Sequence, residues 1–221
     1  MGHLVTGLCQ QKRNPRRVNL YLDGAFALSL SLEVVQDFGL RRGLELTDAD
    51  VEALRRAEEK QQALRDAVRF LSYRPRSEAE VEQYLRRRGQ DEETVQSVLS
   101  RLIEAGLVDD RAFARAWVEA RQATGPRGQR ALRAELLCKG VPRTVVDEVL
   151  VEALADLDEA EQALRVARTR AAFLAGLDRA AFVRRLRAYL LRRGFSPEAA
   201  DTAVRRVWSE KSAASLETEA V

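Results

Sequence analysis

Three stretches of the chain repeat one another: YLRRRGQDEETVQSVLSRLI from Tyr84, ELLCKGVPRTVVDEVLVEAL from Glu135 and YLLRRGFSPEAADTAVRRVW from Tyr189. Aligned on Gly89, Gly140 and Gly194, which stand 51 and 54 residues apart, their apolar positions coincide. Leu85, Leu136 and Leu190 lie four residues before the glycine; Val81, Leu132 and Leu186 lie eight before it. After the glycine, Val95, Val98, Leu99 and Leu102 match Val146, Val149, Leu150 and Ala153, and then Ala200, Ala203, Val204 and Val207. Steps of three and four residues place each set on one helix face, so each copy predicts a helix, a glycine stop and a second helix. A repeat of about 50 residues whose helices are apolar on one side must bury that side against neighbours, which points to stacked helical triplets. A repeated unit makes a long surface, and a long surface suits a long partner.

Capping signals punctuate the pattern. Ser77 with Glu80 forms a capping box, Gly89 closes that helix, Asp91 opens the next and Gly106 closes it. Asp109 opens a helix that runs to Gly125-Pro126, a further helix ends at Gly140, and Pro142 suits a first helical turn. Asp158, Asp178 and Ser196-Pro197 start the last three helices, and Gly176 and Gly194 end two of them. The expected fold is mainly α: tandem three-helix repeats over 61–108, 109–155 and 156–210 in an elongated curved array. A unit of residues 1–60 precedes them, and a mobile polar tail, 211–221, follows.

The N-terminal unit differs in period. RVNLYLDGAFALSLS alternates Val18, Leu20 and Leu22, breaks at Asp23-Gly24, then alternates Phe26, Leu28 and Leu30, which predicts a small β-hairpin. A two-residue loop would mix the two faces, so a three-residue loop ending at a left-handed Gly24 is expected, with Leu20 facing Phe26 and Val18 facing Leu28. LVTGLCQ from Leu4 adds an edge strand, and LEVVQDFG is a short helix stopped by Gly39. The segment from Thr47 reads as one long helix or two joined ones, ending before Pro75.

The sequence carries little that suggests chemistry. No Walker loop, dinucleotide fingerprint or nucleophile-base order is present, and no apolar run nears the roughly 18 residues of a membrane span. The two cysteines, Cys9 and Cys138, stand far apart and read as packed or neutral thiols. The one histidine, His3, falls in an N-terminus expected to be mobile. The acidic pairs Asp109-Asp110 and Glu92-Glu93 stand at helix starts, where carboxylates satisfy free amides and the macrodipole. A cytoplasmic, monomeric protein is expected, with no catalytic residue, no cofactor and no metal.

Charge is dense and nearly balanced, 37 basic against 34 acidic residues, and no segment is a basic tail. Helical phase nevertheless places arginines away from the predicted core in all three middle helices. They are Arg86 and Arg87 in the first repeat, Arg127 and Arg130 with Arg133 on the flank in the second, and Arg184, Arg185 and Arg192 in the third. Each alone is a solvated surface charge; together they would make a basic strip suited to phosphates or to an acidic protein groove. Trp117, Phe113, Tyr84 and Tyr189 are expected in the core or half-buried.

With these features in place, SEAEVEQYLRRRG, GLVDDRAFARAWVEAR at 106–121 and GPRGQRALRAELLCKGV at 125–141 together resemble the bacterial RecX regulatory family across 61–208. RVNLYLDGAFALSLSLEVV and GLRRGLEL resemble the N-terminal extension of some members. The resemblance implies tandem three-helix repeats and a regulator that lodges in the groove of the RecA filament on DNA. Such a regulator inhibits the recombinase and its ATPase, and so modulates recombination, DNA repair and the SOS response. Gly128 and Gln129 depart from the family, standing where many members are more basic. Two other readings remain: a general DNA-binding protein, of single or double strands, that competes with RecA for DNA, and a helical scaffold without a nucleic-acid role. The near-neutral charge disfavours the first of these, since non-specific affinity grows with the phosphates neutralised.

Overall fold

The alternating segments at the start of the chain form strands. In the computed structural model, which describes residues 2–219, they are β1 (Gly2–Gln10), β2 (Arg17–Leu22), β3 (Ala25–Ser31) and β4 (Glu45–Thr47). They pair antiparallel in the order β3-β2-β1-β4. The hairpin is therefore part of a four-stranded sheet, and β1 is an interior strand, not an edge. The turn also corrects the expectation. Asp23 and Gly24 form a two-residue loop with φ of 48° and 87°, the backbone of a type I′ hairpin. The faces do not mix because a bulge follows: Tyr21 pairs with Phe26 and Leu20 with Leu28, leaving Ala27 as the extra residue. Val18 then faces Leu30, and Val18, Leu20, Leu22 and Leu30 are all buried, while Phe26 is left exposed.

His3 is fixed rather than mobile. From β1 its Nε2 hydrogen-bonds Asp48 Oδ1 at 2.8 Å and its Nδ1 Asp23 Oδ2 at 3.0 Å, and these two carboxylates raise its pKa above the ordinary value. Cys9 and Cys138 are free and exposed, so neither is packed.

Helix α1 (Leu32–Asp37) is short and is followed by a left-handed Gly39. Helix α2 (Asp48–Leu71) is one continuous helix, opened by a capping box between Thr47 and Asp50. Its Leu54 packs in the core of the sheet with Val5, Leu20 and Leu30, and its Ala63 and Ala67 pack in the next core with Val81 and Leu85. A boundary at residue 60 thus falls inside a helix that serves two cores. The remaining helices are α3 (Glu78–Arg87), α4 (Glu92–Glu104), α5 (Asp110–Thr124), α6 (Gln129–Cys138), α7 (Arg143–Leu154), α8 (Glu159–Ala171), α9 (Arg179–Arg192) and α10 (Pro197–Glu219). A short 3-10 turn, Ala172–Leu174, follows α8, and Pro142 precedes α7 as its N-cap instead of entering its first turn. Of the tail expected to be mobile, 211–219 continue α10, and 220–221 lie outside the described residues.

The aligned apolar positions are buried in all three copies, except Ala153, which is half-buried. They belong to three separate cores: one of α2, α3 and α4, one of α5, α6 and α7, and one of α8, α9 and α10. The fold is mainly helical with a small N-terminal antiparallel sheet. The chain divides into two compact units, residues up to Pro75 with 81–108, and 76–80 with 109 onward.

Inside the second unit one kind of joint occurs twice. Gly140, just past α6 with φ of 79°, lies on the first turn of α3: a Cβ there would stand 2.2 Å from the Cβ of Ala79. Beside it, Ser77 Oγ donates to the Lys139 carbonyl at 2.5 Å and Lys139 Nζ reaches Glu80 at 2.9 Å. Gly194, just past α9 with φ of 88°, lies on the start of α6 in the same way. Gly128 N donates to the Arg193 carbonyl at 3.0 Å, and a Cβ on Gly128 would stand 2.2 Å from the Gly194 carbonyl oxygen. Gly128 is therefore a packing residue, required where two backbones touch.

Candidate partner-binding surface

Helix α9 buries Phe182, Leu186 and Leu190, and its period turns Arg184, Arg185 and Arg192 to solvent. None of these three has an ion-pair partner among the described residues. Arg187, one step round the helix, shows the alternative: it pairs with Asp201 at 2.5 Å, a contact that raises its own pKa and lowers that of Asp201. The contrast separates a structural arginine from three without an ion pair among the described residues. Arg87 and Arg130 are also exposed and without an ion pair among the described residues.

The other three predicted arginines are engaged. Arg86 bonds Glu92 at 2.9 Å and Glu82 at 2.7 Å, and the Glu92 hydrogen bond raises its pKa. Arg133 pairs with Asp147 at 2.5 Å. Arg127 precedes α6 rather than lying on it, and it pairs with Glu135 Oε1 at 2.9 Å. The other oxygen of Glu135 accepts from Trp117 Nε1 and Arg121 Nε, each at 2.8 Å. Arg127 is thus one spoke of a half-buried network that ties α5 to α6. Sequence phase alone could not see this, because the acidic partners come from neighbouring turns and helices.

The predicted capping groups do sit at helix starts. Asp109 accepts from Arg111 N and Ala112 N, and Glu92 and Glu93 pair with Arg86 and Lys60. Asp110 is buried and reaches across to α3, where Oδ1 accepts from Glu78 N at 2.9 Å; burial raises its pKa, with Asp109 adding to the shift. Among the described residues, no group of three or more histidines, cysteines or carboxylates could hold a metal ion, and no helix is long and apolar enough to cross a membrane.

Sequence phase missed a second set of arginines, Arg165, Arg170 and Arg193. They have no carboxylate partner among the described residues and sit instead against aromatic rings and backbone carbonyls. The available signal was spacing: Tyr189 with Arg193 and Arg170 with Phe173 stand four and three residues apart, the separations at which helical side chains meet.

Comparison with known proteins decides the family. Three RecX family models match: the N-terminal domain over residues 3–47, the first three-helix domain over 63–102 and the second over 109–150. The chain belongs to the RecX family. It is similar to the regulatory protein RecX of Listeria innocua, at 30% identity over 165 residues, or 73% of this chain and 61% of that one. It is 34% identical to the regulatory protein RecX of Bacillus licheniformis over 158 residues, 72% of this chain and 59% of that one. The chain thus matches about three fifths of the length of these curated RecX relatives. A crystal structure of a regulatory protein RecX superposes with a TM-score of 0.78 at 26% identity, covering 89% of this chain and 96% of that one. A RecX structure from Lactobacillus salivarius, at 23% identity and a TM-score of 0.60 over 68% of this chain and 97% of that one, shares the fold. RecX proteins are named as regulators, and the family is not one of enzymes.

Proposed function

We propose that the chain regulates RecA by binding along its nucleoprotein filament and inhibiting recombination and ATP hydrolysis, acting in the cytoplasm as a monomer. The observation that carries this reading is the trio Arg184, Arg185 and Arg192, three guanidiniums on one helix with no acid among the described residues to neutralise them, in a member of a regulatory family. Unpaired guanidiniums suit phosphates or carboxylates of a partner, whereas paired ones are already satisfied. Arg87 and Arg130 extend the same chemistry, and the engaged Arg86, Arg127 and Arg133 contribute mainly to the fold. On this reading, 61–108, 109–155 and 156–210 act as three copies of one binding module, with 1–60 as an appended unit.

The test is a titration into preformed RecA filaments and, separately, into naked single-stranded DNA, following RecA ATP hydrolysis in the first and binding in the second. Inhibition at concentrations well below those that saturate naked DNA supports a filament regulator. Inhibition that only tracks DNA binding gives the role to competition for DNA instead.

A further inference from the structure

Helices α8 and α9 and the 125–126 loop after α5 enclose an open cleft of about 380 Å³. Its wall includes Arg165, Arg193, Tyr189, Thr124 and Thr169, and no aspartate or glutamate among the described residues lines it. Both guanidiniums are held by backbone carbonyls: Arg165 Nη2 donates to the Gln122 carbonyl at 3.0 Å, and Arg193 Nη1 donates to those of Gly125 and Pro126 at 3.4 Å. One nitrogen of each fork is thus occupied, which fixes the group while its other donors stay available. Tyr189 carries two guanidiniums, Arg170 and Arg193, each with Cζ 5.2 Å from the ring centre. Arg170 also lies 5.7 Å from the ring centre of Phe173, which stands 75% exposed on the 3-10 turn after α8.

Phe173 is the most exposed of the large hydrophobic side chains among the described residues, and it stands beside an arginine. The Thr124 and Thr169 hydroxyls are already donated to helix carbonyls, so positive charge in the cleft comes from Arg165 and Arg193, with Arg170 adjoining it against the Tyr189 ring. Guanidiniums without carboxylate partners among the described residues, beside an exposed aromatic ring, are the elements of single-strand recognition: the charges take the backbone and the ring takes an unpaired base. A duplex presents phosphates but keeps its base faces stacked, so it could use the arginines and not Phe173.

We propose that this cleft, together with the Arg170–Phe173 pair that adjoins it through Tyr189, is a site for a single-stranded nucleic-acid segment, with its phosphodiesters held by Arg165, Arg170 and Arg193 and one base stacked on Phe173. It extends the filament reading to the strand itself, yet its test contains no RecA, so either can fail without the other. The probe is a fluorescent oligothymidylate of about 20 nucleotides, a length that covers several of the usual sites. Its anisotropy is followed against the full chain across a salt series, with a duplex of equal length and inorganic phosphate as comparisons.

Arg165→Gln with Arg170→Gln removes two phosphate partners, so the slope of log affinity against log salt should become shallower by about 1.4, from about 0.7 per phosphate on a single strand. Phe173→Ala should weaken the single strand about tenfold and leave the duplex unchanged. Inorganic phosphate at the same phosphate concentration should not displace the strand. Circular dichroism melts matching the native protein's establish that these variants fold, and Arg165→Lys, which keeps the charge, should retain most of the slope. A native slope in the double glutamine variant overturns the proposal. So does equal loss of single strand and duplex in Phe173→Ala, or displacement by inorganic phosphate, which would make the cleft a site for free anions.

Discussion

At Gly140 a single hydrogen decides the packing of two helices. A side chain there would take on a left-handed backbone and would drive a Cβ to 2.2 Å from that of Ala79. The backbone term costs about 1–2 kcal/mol and overpacking about 1–3 kcal/mol more, so Gly140→Ala should lower stability by several kcal/mol in chemical denaturation. Adding Ala79→Gly should recover the overpacking part and leave the backbone part, a coupling read from a double-mutant cycle. Additive losses would show that the two residues do not meet. The glycine stops themselves were legible in the sequence, because a helix end and an apolar period mark them. Their contact partners were not: Ala79 and Ala131 lie far along the chain and carry no periodic signal. The same limit applied to the arginines, where exposure could be read from phase but the acid that quenches Arg127 or Arg133 could not.

At the scale of elements, the N-terminus of α3 is held by a carboxylate from α5. Asp110 Oδ1 accepts the Glu78 N–H, while its Oδ2 is buried without a hydrogen-bond partner. Burial first, and then Asp109, raise its pKa above the ordinary carboxylate value. A carboxyl whose folded pKa lies above its unfolded one binds its proton more tightly in the fold. Ionised Asp110 therefore subtracts stability at neutral pH, and that cost fades as pH falls through the raised value toward the unfolded one. Asp110→Asn keeps the acceptor and removes the charge, so its melting temperature should exceed the native protein's at pH 7, with the gap closing in acid. Asp110→Ala loses the acceptor and should cost about 1 kcal/mol in acid and less at pH 7, where it also removes the buried charge. An asparagine variant less stable than native at pH 7 would show that the charge aids the helix start more than burial penalises it. The helices were legible as elements because caps and period agreed at nearly every boundary. The sheet was less so: β4 is three residues long, and the place of β1 between two strands depends on pairings far along the chain. Face alternation alone predicts a longer hairpin loop, whereas a bulge at Ala27 restores the alternation within a two-residue one.

For the whole molecule, the near balance of 37 basic and 34 acidic residues means that net charge does not attract a polyanion; local imbalance must. Much of the acid is consumed internally, by Arg86, Arg111, Arg115, Arg127, Arg133, Arg168, Arg187 and Arg206. Arg184, Arg185 and Arg192 have no ion pair among the described residues, and they yield the sharpest test of the proposed function. Reversing Arg184, Arg185 and Arg192 to glutamate touches no ion pair among the described residues, so each change should move stability by only about 0.5 kcal/mol. Inhibition of RecA filaments should fall at least tenfold, since a single charge-assisted hydrogen bond across an interface contributes about 1.5–3 kcal/mol. Reversing Arg127 is a poor probe, because it would set a new carboxylate beside Glu135. Salt supplies a second axis: raising it should weaken the native protein more than the triple variant, which has already lost the charges that salt screens. Reversing Glu92 and Glu93 is the control, breaking their pairs with Arg86 and Lys60 at the start of α4, so it should lower the melting temperature before it touches inhibition. If the triple arginine variant keeps native potency and native salt dependence, α9 presents a solvated face and the filament is gripped elsewhere.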